Sequence, residues 1–182
     1  MQAILNRVQD KNLSVDVAMV FSDKAKAEGL NIARSAGVLT ETFAPSEFAS
    51  FLEYETKLVS ILQREKVDWI ICAGYMRILK KTILENFKGK IINIHPSLLP
   101  AFRGLDAQKQ ALDYGVKISG CTVHFVDEGV DSGPIIAQCP VEVLDGDTVN
   151  DLTQRILKAE HETYWKAIQK VISTHPPFFP AK

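Results

Sequence analysis

Apolar positions along this chain recur at two alternating spacings. Runs over 15–21, 40–43, 67–74, 91–95, 120–126 and 134–143 have the dense apolar character of strands. Between them lie stretches with apolar residues three and four apart, which predict helices over 1–9, 25–36, 45–66, 80–87, 106–114 and 148–173. The 45–66 helix opens on Pro45 and Ser46 and carries Phe48, Phe51, Leu52, Leu58, Val59, Ile61 and Leu62. Gly37, Gly89 and Gly115 stand where helices end, and Thr148 stands as the cap of the last one. The run 67–73 is nearly all apolar, as a strand buried on both faces would be. Strands alternating with helices predict one α/β domain over 1–182. Its expected core is a mainly parallel, Rossmann-like twisted sheet flanked by helices and built from right-handed βαβ units. The last two strands flank the acidic, glycine-containing segment 127–133 and are expected to pair antiparallel at an edge. The tail over 175–180, with three prolines, is expected to be extended.

In such sheets ligands bind beyond the carboxyl ends of the strands, and two of those ends carry distinctive residues. The strand over 91–95 places Asn93 and His95 on one face, two residues apart, before Pro96 and Pro100 stop it. One reading is that Asn93 and His95 hydrogen-bond a loop. The other adds Asp131, from a loop able to fold over the same edge. A carboxylate beside an imidazole favours the protonated ring, and a protonated ring beside a carboxamide aims two donors at one oxygen. Such a pair suits an oxyanion, at about 3–4 kcal/mol per donor in other enzymes. No GxSxG elbow is present, and Ser97 and Ser132 sit next to proline or glycine as turn residues do. Direct transfer between two bound substrates is therefore favoured over a covalent intermediate.

At the other strand end, Gly74 precedes Met76, Arg77, Ile78 and Leu79. This segment reads either as an ordinary loop with a solvated arginine or as an apolar slot for a flat heterocycle. Glu160, beside His161 on the last helix, is either a surface group or one that reaches a substrate amine or hydroxyl.

Composition narrows the classes. The 182 residues are 46% hydrophobic and 24% charged, with 21 basic against 22 acidic side chains and a net charge of −1. No basic run suggests nucleic acid, no apolar run approaches a membrane span, and the N-terminus does not have the form of a signal peptide. Cys72, Cys121 and Cys139 are odd in number and form no CxxC pair, which suits free thiols in a reducing cytoplasm. His95, His124, His161 and His175 are too scattered for a metal signature, so no metal is expected. The chain opens on a helix, without the strand and glycine-rich phosphate turn that usually begin a doubly wound fold.

Taken together, five segments resemble the phosphoribosylglycinamide formyltransferases, folate-dependent enzymes of purine biosynthesis. They cover residues 73–79, 92–100, 120–126, 130–138 and 158–161, in the family's order. The resemblance implies transfer of a formyl group from 10-formyltetrahydrofolate to the amine of glycinamide ribonucleotide. It implies catalytic roles for Asn93, His95 and Asp131. Folate would be bound by Met76, Arg77, Ile78 and Leu79 with Asn93 and Asp131, and the ribonucleotide by Gly74 and Glu160. The partners would be these small molecules, with no nucleic acid or membrane, and the protein a monomer or homodimer. Two departures stand out. About a dozen residues of the family pattern, a first strand and phosphate loop, have no counterpart before Met1, so weak ribonucleotide binding is expected. Phe51 replaces a residue that is often basic on the folate side. The alternatives are a formyltetrahydrofolate deformylase, the catalytic domain of a methionyl-tRNA formyltransferase, or an inactive folate-binding remnant.

Overall fold

A computed structural model describes residues 1–174, so the tail expected to be extended over 175–180 lies outside the described residues. The chain divides into two compact units, Met1–Lys88 and a second that begins at Gly89.

The first unit contains α1 (Gln2–Gln9), β1 (Met19–Ser22), α2 (Glu28–Ser35), β2 (Leu39–Thr42), α3 (Phe51–Arg64), β3 (Ile70–Cys72) and α4 (Lys81–Asn86). β1 and β2 pair in parallel, from Met19 against Leu39 to Ser22 against Thr42. The strand expected over 15–21 is thus only four residues long, because the partner strand, not the apolar run, sets its length. α2 covers the pair by placing Leu30 and Ala33 against Val20, with Met1, Val17, Ala27 and Val38 around them. The single helix expected over 45–66 is broken. Pro45–Glu47 forms one tight turn, and α3 begins at Phe51 because Ser50 caps it, its hydroxyl accepting the Glu53 N–H at 3.2 Å. The Tyr54 ring, almost fully buried on α3, lies against four phenylalanines, Phe21, Phe43, Phe48 and Phe51, with centroids 5.3–6.3 Å away. Phe51, whose position is often basic in the family pattern, joins this cluster instead.

The second unit contains β4 (Ile91–His95), α5 (Ala107–Tyr114), β5 (Ile118–Phe125), β6 (Ile135–Glu142) and α6 (Val149–Ser173). β5 and β6 pair antiparallel, as expected from the turn-like segment between them. β4 and β5 also pair antiparallel, from Ile92 against Phe125 to His95 against Thr122. This differs from the parallel crossover that a strand–helix–strand order suggests. The eight residues of α5 are preceded by a long turning segment, 96–106, and together they reverse the chain instead of carrying it back. α6 packs on the sheet through Leu152 and Ile156, one turn apart, against Cys121 and Val141. Thr148 caps α6 as expected, its hydroxyl accepting the Asp151 N–H while Asp151 accepts the Thr148 N–H.

Candidate active site

β4 is buried at Ile91 and Ile92, shows Asn93 half-buried, and ends on His95, 5% exposed. The chain then turns under close control. The Ser97 hydroxyl, fully buried, donates to the Ala101 carbonyl at 2.6 Å, which confirms its turn role. The Thr122 hydroxyl on β5 donates to the Ser97 carbonyl at 2.7 Å and accepts the Leu99 N–H at 3.0 Å. Gln138 on β6 donates to the Leu99 carbonyl at 2.9 Å and to the same Thr122 oxygen at 3.0 Å. Buried polar groups satisfied this completely hold one backbone shape. The shape delivers the Phe102 carbonyl to His95 Nε2 at 2.8 Å.

The expected carboxylate arrives from the loop between β5 and β6. Asp131 Oδ2 lies 3.3 Å from His95 Nδ1 and accepts the Gly104 N–H at 2.9 Å. A carbonyl oxygen only accepts, so the Nε2 of His95 carries a hydrogen. Only a ring with a hydrogen on Nδ1 as well presents a donor to Asp131. Asp131 and Phe102, the two residues facing the ring, both have left-handed backbones, with φ of 47° and 54°. Such conformations are costly in residues with side chains and gather where function demands them. Ser132 Oγ donates to Asp127 Oδ1 at 2.7 Å and helps shape the loop, again as a turn residue. A Cβ added at Gly133 would overlap the Phe125 carbonyl oxygen, so the loop passes β5 too closely for any side chain there.

His124 is a further member. It lies opposite Asn93 in the β4–β5 register, with Nε2 3.3 Å from Asn93 Nδ2 and 3.6 Å from Asp131 Oδ1. Its Nδ1 donates to the Phe125 carbonyl at 2.9 Å, which leaves Nε2 as the acceptor for the Asn93 amide in the neutral ring. Burial pushes the His124 pKa below its ordinary value, in keeping with a neutral ring. The two histidines are therefore wired oppositely around one carboxylate, and His124 fixes which way the Asn93 amide points.

Glu160 is half-buried on α6, and burial pushes its carboxyl up to about 7. The remaining predicted residues belong to the first unit, in the loop 73–80 after β3. Gly74 has φ +73°, a conformation that favours glycine, while Met76 and Ile78 are exposed and Leu79 is half-buried. Arg77 is not merely solvated. Its Nε donates to Asp23 Oδ2 at 2.5 Å.

Comparison with known proteins gives this arrangement a family. The formyl transferase family matches residues 1–168, across both units. The chain belongs to the formyl transferase family. It is 41% identical to the phosphoribosylglycinamide formyltransferase of Bacillus subtilis over 94% of this chain and 88% of that protein. It is 43% identical to the trifunctional purine biosynthetic protein adenosine-3 of Drosophila melanogaster over 95% of this chain, but spans only 13% of that protein's length. The crystal structure of glycinamide ribonucleotide transformylase 1 from Symbiobacterium toebii superimposes with a TM-score of 0.91 at 50% identity, over 92% of this chain and 79% of that one. The mixed α/β architecture is thus that of a formyltransferase.

Within this formyltransferase, His124 and Thr122 had escaped the sequence reading. Their roles come from β4–β5 register, which puts them beside Asn93 and His95. The one available signal was the alternation of β5 itself, which sets Thr122 and His124 on the same face, two residues apart.

Proposed function

We propose that this chain transfers the formyl group of 10-formyltetrahydrofolate to the amine of glycinamide ribonucleotide, a step of purine biosynthesis. The observation that carries the reading is the approach of His95 to Asp131, 3.3 Å apart at the end of β4, beside an amide oriented by His124. The names of the B. subtilis and S. toebii relatives supply the substrate class. The match across both units supports treating 1–182 as one formyltransferase domain.

In this proposal the folate supplies an activated formyl carbon, and the protein's residues do the rest. The Asn93 amide and the His95 ring donate hydrogen bonds to the oxygen that gains charge as the amine attacks. His95 releases its contact with the Phe102 carbonyl to do so, and Asp131 balances the charged ring. As the bond from the formyl carbon to the folate nitrogen breaks, His95 passes its proton to that nitrogen, and the proton lost by the attacking amine returns to the ring. Asn93, His95 and Asp131 are the catalytic residues, and Asn93 and Asp131 also meet the folate. The exposed apolar side chains of Met76 and Ile78, with Arg77 and Leu79, fit a flat heterocycle held through backbone groups. Gly74 and Glu160 serve the ribonucleotide. The protein would act in the cytoplasm on small molecules, as a monomer or homodimer, with neither nucleic acid nor membrane as partner.

A coupled assay tests this. Formyl transfer should require glycinamide ribonucleotide and saturate with the folate. Formate release at the same rate without ribonucleotide would replace the reading with a deformylase.

A further inference from the structure

The loop 73–80 is held from behind by side chains that no step of the proposed reaction uses. At its near end, the Tyr75 hydroxyl meets the Tyr54 hydroxyl at 2.8 Å. At its far end, the Lys80 N–H donates to Glu55 Oε1 at 2.6 Å. Between them Arg77 pairs with Asp23. Tyr54 and Glu55 are neighbours on α3 and are 1% and 2% exposed. A carboxylate that deep is expensive unless a donor meets it, and here the donor is the backbone amide that begins α4. Lys80 has no side-chain cap of its own, so Glu55 does from a distance what a capping residue does locally. The phenylalanines around the Tyr54 ring fix the hydroxyl that reaches Tyr75.

We propose that Tyr54 and Glu55 are positioning residues that pre-form the 73–80 loop for the folate heterocycle. This rests on the reading of that loop as the folate slot. The exposed Met76 and Ile78 side chains cannot brace their own backbone. Two anchors from α3 brace it before the ligand arrives, so binding does not have to order the loop. Neither residue is among those assigned to the formyl transfer, so their removal should act on folate affinity and leave the chemical step alone.

The test measures steady-state kinetics with 10-formyltetrahydrofolate, and amide hydrogen exchange over 74–80 in the free protein. Glu55→Leu, which removes the acceptor but suits a buried position, should raise the folate KM about tenfold with kcat within about twofold. It should also speed exchange at the Lys80 amide by at least about tenfold. Glu55→Gln keeps an acceptor oxygen and should restore most of the affinity. Tyr54→Phe keeps the ring cluster and should raise KM about threefold, with no further rise when Tyr75→Phe is added. A separate variant, Ile78→Asp, checks the slot itself. If Ile78→Asp leaves KM unchanged, the loop is not the folate slot and the proposal falls with it. If Ile78→Asp raises KM while Glu55→Leu and Tyr54→Phe change neither KM nor exchange, the slot stands and the anchoring role is overturned.

Discussion

The chain leaves β3 and β4 in different ways. After β4 the segment 96–106 is tied down by Thr122 and Gln138 from the neighbouring strands and by Asp131 from the loop beyond them, and the side chain it serves, His95, is almost wholly buried. After β3 the segment 73–80 is tied down from α3, and the side chains it carries face outward, Met76 being 66% and Ile78 54% exposed. A group that handles protons needs dry surroundings with fixed acceptors. A surface for a flat ring needs apolar side chains left open on a backbone that does not move. Both segments are held by side chains from elsewhere, the first mainly at its main-chain atoms and the second at the Lys80 amide and the Tyr75 hydroxyl, and they differ in what they leave exposed.

The comparison predicts where substitutions hurt. His95→Asn and Asp131→Asn should each lower kcat by about 100- to 10,000-fold while the folate KM changes only a few-fold, measured by steady-state kinetics. A near-normal rate for Asp131→Asn at neutral pH would remove the charge-balancing role. Gly133→Ala, which pushes the Asp131 loop off the Phe125 carbonyl, should lower kcat by about 100-fold through misplacement of Asp131. An unchanged rate would mean that the loop gives way elsewhere.

His124 and Glu160 should tilt stability with pH in opposite senses. The folded pKa of His124 lies below its unfolded value near 6.5, so the unfolded chain binds the extra proton first. Its contribution is complete above pH 6.5 and is lost as pH falls below that value. Glu160 holds its proton up to about 7 in the folded chain against an ordinary 4.5. Its contribution is present below 4.5 and is lost as pH rises through 7. Glu160→Gln should therefore raise Tm by about 2 °C at pH 8 and by less at pH 5, and an equal rise at both would contradict the burial of that carboxyl. The smallest effect belongs to the pair of Arg77 and Asp23, in which the guanidinium is 44% exposed and the carboxylate only 9%. Arg77→Ala should lower Tm by about 1–2 °C, because the exposed guanidinium contributes little itself but its loss takes a partner from the nearly buried Asp23 carboxylate. A larger loss would make that pair a third anchor equal to those on α3.

Much of this was legible in sequence because the signals were local. β4 ends at His95 where Pro96 forces it to, and α6 begins at the Thr148 cap. Asp131 was legible as a partner because acidic and glycine residues marked its loop. What was hidden depends on pairing between distant residues. β1 stops at the length of β2, and α3 starts at Phe51, where the Ser50 hydroxyl accepts the Glu53 N–H, while Pro45 opens a separate tight turn. β4 and β5 run antiparallel although an α-helix lies between them, and that register alone makes His124 and Thr122 part of the site. The roles of Tyr54 and Glu55 were equally hidden, since on α3 they read as one more apolar ring and one more surface acid.

The turn after β4 has a consequence for how this protein tolerates change. Thr122, Gln138, His95 and Asp131 contact it through the Ser97, Leu99 and Phe102 carbonyls and the Leu99 and Gly104 amides. None of these contacts reads a side chain of the turn. Identity at positions 99 and 102 is therefore constrained by backbone conformation and packing, while the hydrogen-bonding frame around His95 survives exchange. The machinery is written into the gripping residues on β5, β6 and the acidic loop, and within the gripped segment the side chain that matters for shape is the Ser97 hydroxyl.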